Sequence, residues 1–249
     1  MNLIVDIGNS SAKATLMAGD QIVDRRRFEE LTPAVLSSLL DEIGEVEGGI
    51  LCSLKEVDEQ FEQVFAERVN RYMRFTHQTP IPIRNGYQTP QTLGLDRLAA
   101  AVGAATLFPG SSLMVVDFGT AITIDFVSAD GEFMGGNISA GASTRLKALN
   151  HYTSALPLFS IDEYEQREQL SQEQMFGRTT QDAILKGVVE GIIFEIEGYI
   201  SRFSKKDTCF QTIFTGGDSI FFAKRIKNTI FVTYDLIAIG LNRILESNV

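Results

Sequence analysis

The chain has few cysteines and few histidines, and this shortage disfavours several kinds of site. Its 249 residues include only two cysteines, Cys52 and Cys209, and neither lies in a CxxC pair or a Cys/His cluster. A disulfide scaffold or a structural zinc site is therefore disfavoured, and a reducing compartment is indicated. One of the two histidines, His77, lies in an extended segment with prolines and has no evident partner, so we predict that it is exposed in a loop.

Long apolar runs and an excess of basic residues are also missing. No uninterrupted apolar stretch reaches the roughly 18 residues of a membrane-spanning helix, and no charged-then-apolar leader precedes Leu3. These observations predict a cytoplasmic protein with no membrane partner. The 22 basic and 32 acidic residues give a net charge of −10. Because broad binding to nucleic acid depends on basic contacts to phosphates, we expect no nucleic-acid partner.

What the sequence does contain, twice, is a short apolar strand that ends in Asp-x-Gly. The first copy reads LIVDIGNSS over residues 3–11, and the second reads VVDFGTA over residues 115–121. The glycine allows a tight turn beside a ligand. An acid that can hold a metal ion, next to exposed N–H and hydroxyl donors, is what the phosphates of a nucleotide require. One copy could simply end a strand; two copies favour two related lobes that face one phosphate group.

The segments around these turns predict an α/β fold. Each copy continues into a hairpin, with turns at Gly19-Asp20 and Asp130-Gly131, which supports an internal duplication of architecture. We predict two lobes, each a mixed sheet flanked by helices, with the ligand in the cleft between them. Because residues 108–110 (Phe-Pro-Gly) break the chain, the predicted lobes are residues 1–110 and 111–249.

Helix signals are clear at several points along the chain. Thr32-Pro33 begins a helix with proline at its first position. An apolar pattern predicts a second helix that includes Phe61 and Val69, and a long helix extends from the threonine pair at 179–180 to about Phe203. A third glycine-rich turn, TGGD at 215–218, suits the approach of a purine or a ribose to the backbone.

A second candidate constellation lies in the segment 85–97, which leads into an alanine-rich helix. Asp96 stands at the entrance of that helix, where it is either the N-cap or an acid that, with Arg97 and the upstream Tyr87, lines a pocket for a small polar substrate. Lys13 is either a phosphate contact or an exposed strand lysine. The basic run at 25–27 is interpreted as a solvated strand end.

Taken in order, these motifs resemble the type III pantothenate kinases, within the actin-like (ribonuclease H-like) superfamily of two-lobed phosphotransferases. The most family-specific part is the Gly-Leu-Asp-Arg box at 94–97, placed shortly before the second Asp-x-Gly turn. The matching segments are Asp6-x-Gly8-Asn9-Ser10, Gly86-Tyr87, Gly94-Leu95-Asp96-Arg97, Asp117-x-Gly119-Thr120-Ala121, Gly135-Gly136-x-Ile138 and Thr215-Gly216-Gly217-Asp218.

The resemblance implies transfer of the γ-phosphate of ATP to the terminal hydroxyl of pantothenate, the first step towards coenzyme A. It implies Asp96 as the general base, Asp6 as the residue that organises Mg²⁺, and Asp117 as the ligand of a monovalent cation, K⁺ or NH₄⁺. The implied ATP-binding residues are Asp6, Gly8, Asn9, Ser10, Ser11, Lys13 and Thr120. The implied substrate-binding residues are Tyr87, Gly94, Leu95, Asp96, Arg97 and Thr180.

The resemblance also implies a homodimer, because in this family the threonine that matches Thr180 comes from the partner subunit. Whether Thr179 or Thr180 makes that contact stays open, and either could simply cap the helix. Three other functions are compatible with the turns: another small-molecule kinase of the superfamily, a non-catalytic ATP-binding regulator, and an actin-like filament protein. The Gly-Leu-Asp-Arg box and the three aspartates favour the pantothenate kinase.

Overall fold

A computed structural model of the chain describes residues 1–171, 176–207 and 209–248. The strands are β1 (Asn2–Ile7), β2 (Ala12–Ala18), β3 (Gln21–Phe28), β4 (Val46–Ser53), β5 (Val69–Arg74), β6 (Arg84–Asn85), β7 (Leu113–Phe118), β8 (Ala121–Val127), β9 (Glu132–Ala140), β10 (Gln211–Thr215) and β11 (Phe231–Val232). The helices are α1 (Pro33–Ile43), α2 (Glu59–Arg68), α3 (Leu95–Leu107), α4 (Ala142–Tyr152), α5 (Ile161–Ser171), α6 (Thr180–Ser204), α7 (Ser219–Ala223) and α8 (Leu236–Ser247).

The strands form two mixed sheets with the same internal order. The first sheet has the order β3-β2-β1-β4-β5, and the second has β11-β10-β7-β8-β9-β6. In each sheet the Asp-x-Gly strand, β1 or β7, pairs antiparallel with the next strand and parallel with β4 or β10. Reading the second sheet from β9 to β11 therefore repeats the first sheet from β3 to β5. The α/β class and the duplicated architecture are as the sequence predicts.

Helices cover both faces of each sheet, because the strands alternate apolar side chains between two separate cores. The outer core of the first sheet packs α1 and α2 against residues such as Val5. The outer core of the second sheet packs α4, α5, α6 and α7 against residues such as Val116. Between the sheets, α3 and α8 share a third core with Ile4 of β1 and Val115 of β7. The two lobes are thus joined through the helix pair α3 and α8.

The α3–α8 crossing is close enough to require glycine. A Cβ atom built on Gly240 would lie 1.8 Å from the carbonyl oxygen of Ala99, and one on Gly103 would lie 2.1 Å from that of Leu236. Contacts this short between a side chain and a backbone oxygen do not occur in packed proteins. The separation of the two helices therefore depends on the absence of a side chain at these two positions.

Two local predictions differ from the structure. Val69 was expected in a helix, but α2 ends at Arg68 and Val69 begins β5, where it pairs in parallel with Val46 of β4. The spacing of the apolar residues is compatible with a longer helix or with a strand. Val69 belongs to a strand because it can form hydrogen bonds along the edge of β4. The segment 75–83 was expected to be extended, but residues 77 and 78 form a turn, which the N–H of Thr79 closes by donating to the carbonyl of Thr76 at 3.1 Å. His77 is exposed as expected, and its Nε2 makes a hydrogen bond with the carbonyl oxygen of Leu93 at 2.8 Å.

The predicted lobe boundary between residues 110 and 111 stays a prediction. It falls between α3 and β7, whereas the chain passes from the first sheet to the second earlier, because β6 pairs in parallel with β9. Within the described ranges, no helix is long and apolar enough to cross a membrane.

Candidate active site

The two Asp-x-Gly turns meet across the gap between the lobes. The N–H of Gly8 donates to the carbonyl of Ser11 at 3.1 Å, and the N–H of Gly119 donates to that of Ala121 at 3.2 Å, so each turn closes on itself. The hydroxyl groups of Ser10 and Thr120 lie 3.2 Å apart, in hydrogen-bonding contact. The structure thus brings together two loops that are 110 residues apart in the sequence, and Asn9 and Ser10 are exposed beside them.

Asp6 and Asp117 occupy equivalent positions, each near the end of its strand. Burial raises the pKa of Asp6 to about 6, against the opposing effect of Lys13, and the charge of Asp96 raises it further. Burial likewise raises the pKa of Asp117 to about 6, with Lys13 opposing and Asp96, Asp6 and Asp125 adding to the rise. These mutual effects mean that the carboxylates lie within electrostatic reach of one another. Ionising them together costs free energy unless a cation is close by.

Carboxylate oxygens of this kind are suitable ligands for Mg²⁺ or for a monovalent cation. Across the part of the chain that the structure describes, no group of three or more His, Cys, Asp or Glu residues could hold a metal ion by itself. That result does not conflict with Asp6 and Asp117 as ligands, because Mg²⁺ in phosphoryl-transfer sites commonly uses one or two carboxylates together with phosphate oxygens and water. The donors fit a cation that arrives with a phosphate.

The third glycine-rich turn lies directly against Asp117. Gly216 has a φ of +90°, and a Cβ atom there would lie 2.3 Å from the Asp117 carboxylate. Only glycine adopts this conformation without strain and leaves room for the carboxylate. Nearby, burial raises the pKa of Asp218, and the charge of Asp162 adds to the effect. The predicted contact of this turn with a purine or ribose stays a prediction.

Asp96 lies in the first turn of α3 and is not its N-cap. Gly94 is the N-cap residue, Leu95 is the first helical residue, and the Asp96 carboxylate accepts the N–H of Arg97 at 2.8 Å. The capping alternative is therefore wrong, although the acid still profits from the positive end of the helix dipole. Since Asp96 raises the pKa of both Asp6 and Asp117, it lies within electrostatic reach of the two turns.

Arg97 has a partner that the sequence analysis missed. Its guanidinium donates to Asp125 of β8, from Nε at 3.1 and 3.2 Å and from Nη2 at 2.5 Å. Both side chains are buried, with 6% and 2% of their surfaces exposed. Burial raises the pKa of Asp125, and the hydrogen bonds and charge of Arg97 oppose that rise. The available signal was an acid inside the apolar strand AITIDFV, where a lone charge needs a partner.

Tyr87 lies over the same ion pair. The Arg97 guanidinium carbon is 5.8 Å from the centre of the Tyr87 ring, within the range of a cation–π contact. The Tyr87 ring is 6.1 Å from that of Phe133 on β9, which β6 brings alongside. Tyr87 and Arg97, ten positions apart in the sequence, thus lie in contact, as predicted, and Asp125 joins them through its ion pair with Arg97. We call these three residues the Tyr87–Arg97 unit.

Lys13 and the hydroxyls of the first turn are close to Asp6. Lys13 pairs directly with Asp6 across β1 and β2, so the two side chains lie on one face of the sheet. Ser11 accepts a hydrogen bond from Nε of Arg27 at 3.2 Å. Lys13 is exposed, and its charge opposes the rise in pKa of Asp6 and Asp117. This arrangement favours the phosphate-contact interpretation of Lys13.

The threonine pair lies on a different part of the molecule. Thr179 is the N-cap of α6, and its hydroxyl accepts the N–H of Asp182 at 3.1 Å. Thr180 is the first residue of the helix and is exposed. α6 packs on the outer face of the second sheet, whereas α3 and Asp96 lie on its inner side. Among the described residues, no hydrogen bond or ion pair joins Thr180 to the acid cluster. Because the cap engages Thr179, Thr180 is the better candidate for a substrate contact.

Together these groups can bind a polyphosphate and a neighbouring hydroxyl compound. The two turns offer N–H and hydroxyl donors, Lys13 offers a positive charge, and Asp6 and Asp117 can hold a cation. Asp96, in the first turn of α3, offers a carboxylate, a group that can accept a proton from a hydroxyl. The arrangement suits phosphoryl transfer, which depends on positioning and charge neutralisation.

Comparison with known proteins identifies similar chains. The sequence model of the family described as type III pantothenate kinase matches residues 2–202. A type III pantothenate kinase of Azobacteroides pseudotrichonymphae is 40% identical over 98% of this chain and 96% of its own. A crystal structure from Campylobacter jejuni, named for the Baf family of transcriptional activators, has a TM-score of 0.63 at 25% identity and covers 99% of this chain and 98% of its own.

A more distant structure supports the fold alone. The ROK hexokinase of Thermus thermophilus has a TM-score of 0.57 at 10% identity, covering 99% of this chain and 98% of its own. Since the identity is low, the likeness concerns only the arrangement of two sheets and their helices. It agrees with the predicted two-lobed, actin-like class of fold.

Proposed function

Since the chain belongs to the type III pantothenate kinase family, whose members are ATP-dependent kinases of coenzyme A biosynthesis that act on a hydroxyl group, we propose that Asp96 is its general base. The observation that carries this proposal is the position of Asp96. It stands at the start of α3 within electrostatic reach of both Asp-x-Gly turns, because its charge adds to the rise in the pKa of Asp6 and Asp117 that burial causes.

The proposed reaction moves one phosphoryl group and one proton. The terminal hydroxyl oxygen of pantothenate attacks the γ-phosphorus of ATP, a new O–P bond forms, and the bond between the γ-phosphorus and the β,γ-bridging oxygen breaks. Asp96 accepts the hydroxyl proton, and ADP leaves with the bridging oxygen. Because the transition state spreads charge over the transferred oxygens, the chain contributes chiefly by holding the two substrates in line and neutralising charge.

The acceptor substrate is proposed to bind against the Tyr87–Arg97 unit and the backbone of Gly94 and Leu95. Arg97 is tied to Asp125, so its guanidinium is fixed in direction by a buried partner. A fixed guanidinium loses little side-chain entropy when it binds an anionic group such as the carboxylate of pantothenate. Asp125 is thereby proposed as a positioning residue for Arg97.

ATP is proposed to bind with its phosphates across both turns. The contacts are assigned to the first turn, to Lys13 beside it and to Thr120 of the second turn. The proposed residues of the first turn are Gly8, Asn9, Ser10 and Ser11. The contact between Ser10 and Thr120 supports this, because a phosphate placed there would meet donors from both lobes. Asp6 would hold Mg²⁺, which when bound neutralises charge on the phosphates.

The direct test is phosphorylation of pantothenate by the purified protein with MgATP. We expect ADP and phosphopantothenate in equal amounts, and no ADP above background when pantothenate is omitted. Binding of ATP without turnover of pantothenate would instead favour a regulator, which the name of the Campylobacter jejuni structure makes the second candidate. Turnover of a different hydroxyl compound would favour another kinase of the superfamily.

Asp117 is proposed as the ligand of a monovalent cation, K⁺ or NH₄⁺. Its pKa of about 6 in the folded protein lies above the ordinary value of 3.8, so its charge disfavours folding above pH 6. This destabilisation is absent below about pH 4, where both states are protonated, and develops between pH 4 and 6. A bound cation would relieve it.

We therefore predict that Asp117→Asn stabilises the cation-free protein at pH 8 by on the order of 2 kcal/mol, and not at pH 4. The measurement is thermal unfolding in choline buffer with EDTA. Added KCl should stabilise the wild type at pH 8 more than an equal concentration of choline chloride does, and should not distinguish the two salts in Asp117→Asn. Equal stability of both proteins at pH 8, or the same response to KCl, would contradict the assignment.

A homodimer with shared active sites is proposed as the active form. Several large apolar side chains in the part of the chain from β9 to α6 are exposed. They include Ile138 on β9, which is 62% exposed, and Phe194 on α6, which is 65% exposed. Exposed apolar side chains of this size often mark a protein interface. α6, which begins with Thr180, belongs to the same half of the chain, so a partner could bring Thr180 towards the other subunit's Asp96.

A cytoplasmic location is also proposed, because the chain has only two cysteines and neither lies in a pair or cluster.

The shared site predicts complementation between two inactive variants. Asp96→Asn and Thr180→Arg proteins, each with low activity, should regain about a quarter of the wild-type rate after mixing, unfolding and refolding together. Half of the dimers are then mixed, and one of their two sites is intact. The rate of product formation is the readout, and sedimentation gives the oligomeric state. Absence of recovery in a mixture that sediments as dimers would place both residues in one subunit's site.

A further inference from the structure

The three consecutive arginines of β3 do not share one environment. Arg26 points to the outer face of the first sheet, where it pairs with Glu42 of α1 and with Asp24. Arg25 and Arg27 point to the opposite face, because side chains alternate along a strand. On that face Arg25 pairs with Asp235 at the start of α8, at 2.6 Å. The sequence alone predicted a solvated strand end and did not distinguish the three arginines.

Arg27 lies beside the phosphate turn. It is directly opposite Lys13 across β2 and β3, and Lys13 is directly opposite Asp6, so the three form one row across the sheet. Neighbouring strands are about 4.8 Å apart, which places the row within about 10 Å from end to end. Nε of Arg27 donates to the hydroxyl of Ser11 at 3.2 Å. Arg27 therefore reaches the turn from the side.

Arg27 differs from Arg25 and Arg26 in the partner of its guanidinium. Within the described ranges it makes no ion pair, and its hydrogen bond is to the neutral hydroxyl of Ser11 through Nε. Its two neighbours in the run are each paired with acids. An exposed guanidinium whose two terminal nitrogens remain available can bind two oxygens of one phosphate at once.

The matching row of the second sheet carries no positive charge. The row that corresponds to Asp6, Lys13 and Arg27 runs through Asp117, Thr123 and Ile138 on β7, β8 and β9, and it contains no basic residue. The acids of the site repel a polyphosphate, and the whole chain carries a net charge of −10. Of these two rows, only the one in the first sheet supplies positive side chains that offset this repulsion.

We propose that Arg27 is a second cationic phosphate-binding residue, which contacts the phosphates of the nucleotide beside Lys13 and the 8–11 turn. The proposal rests on the proposed function for the identity of the nucleotide and extends the site by one strand. The side chain exchanges its bond with the Ser11 hydroxyl for the stronger, charge-assisted bonds to phosphate oxygens. The hydroxyl of Ser11, no longer bonded to Arg27, can then donate a hydrogen bond to a phosphate oxygen.

The test compares Arg27→Gln with Arg26→Gln, the same change one residue away on the outer face. Arg27→Gln should raise the KM for ATP about tenfold, as expected for the loss of one charge-assisted contact, with the KM for pantothenate unchanged. Arg27→Lys should recover part of the loss. Arg26→Gln should leave both KM values unchanged and lower the unfolding temperature slightly, because its ion pair with Glu42 is lost.

Nucleotide binding without the acceptor separates this proposal from the proposed function. The rise in unfolding temperature caused by MgADP or MgATP, with pantothenate absent, should shrink in Arg27→Gln and persist in Arg26→Gln. That result would hold even if the acceptor were a different hydroxyl compound. An unchanged nucleotide-induced rise in Arg27→Gln, or an effect on the KM for pantothenate alone, would overturn the assignment and point to a carboxylate contact instead.

Discussion

Replacing Asp96 with asparagine is expected to lower kcat for pantothenate phosphorylation by about 10²- to 10⁴-fold, the usual contribution of a positioned general base. The amide is nearly the same size as the carboxylate, and its oxygen can still accept the N–H of Arg97, which the carboxylate accepts at 2.8 Å. It cannot accept the hydroxyl proton. We expect the KM for ATP and the unfolding temperature to change little, so the loss should appear in kcat.

Asp58→Asn provides the matched control. Asp58 also stands at the start of a helix, where it caps α2 and accepts the N–H of Gln60 at 2.9 Å. The helix that it caps packs on the outer face of the first sheet, whereas Asp96 lies on the inner side. We expect full activity for Asp58→Asn. An Asp96→Asn protein that kept more than about a tenth of the wild-type kcat would leave the kinase assignment intact but remove Asp96 as the base.

Gly240→Ala is expected to lower the free energy of unfolding by about 3 kcal/mol or more, at the upper end of overpacking effects. The new methyl group would lie 1.8 Å from the carbonyl oxygen of Ala99, and neither backbone can move without separating α3 from α8. For a chain of this size the unfolding temperature should fall by about 10 °C. Because α3 carries Asp96 at its start, activity at temperatures below the transition should fall as well.

Gly198→Ala is the control for the same chemical change within a helix. Gly198 lies on α6, and a Cβ atom there meets nothing within 4 Å. Alanine should therefore stabilise this helix by up to about 1 kcal/mol through its higher helix propensity. Urea unfolding of the wild type and both variants measures how far each substitution changes the free energy of unfolding. A Gly240→Ala protein as stable as the wild type would mean that the α3–α8 crossing adapts, and would remove this crossing as the determinant of lobe spacing.

The sequence predicts those features that depend on neighbouring residues. The two strand-Asp-x-Gly turns, the hairpins that follow them and the start of α1 at Thr32-Pro33 are as expected, because alternation, turn residues and caps act within a few positions. The repeated order of strands follows from the repeated motif. The resemblance to a family also supplied the proposed role of Asp96, a residue that local chemistry alone left balanced between an N-cap and a substrate-binding acid.

What the sequence by itself determined is therefore the class of fold, the family and the two Asp-x-Gly turns, while only the tertiary structure decided which distant groups lie beside them. Arg97 and Asp125 are 28 positions apart and meet because α3 packs against β8. Arg27 faces the first turn because of strand register, and a shift of one residue would have turned it outwards. Pairing and packing between remote segments leave little trace in a local pattern, since each depends on where the whole chain places its partner.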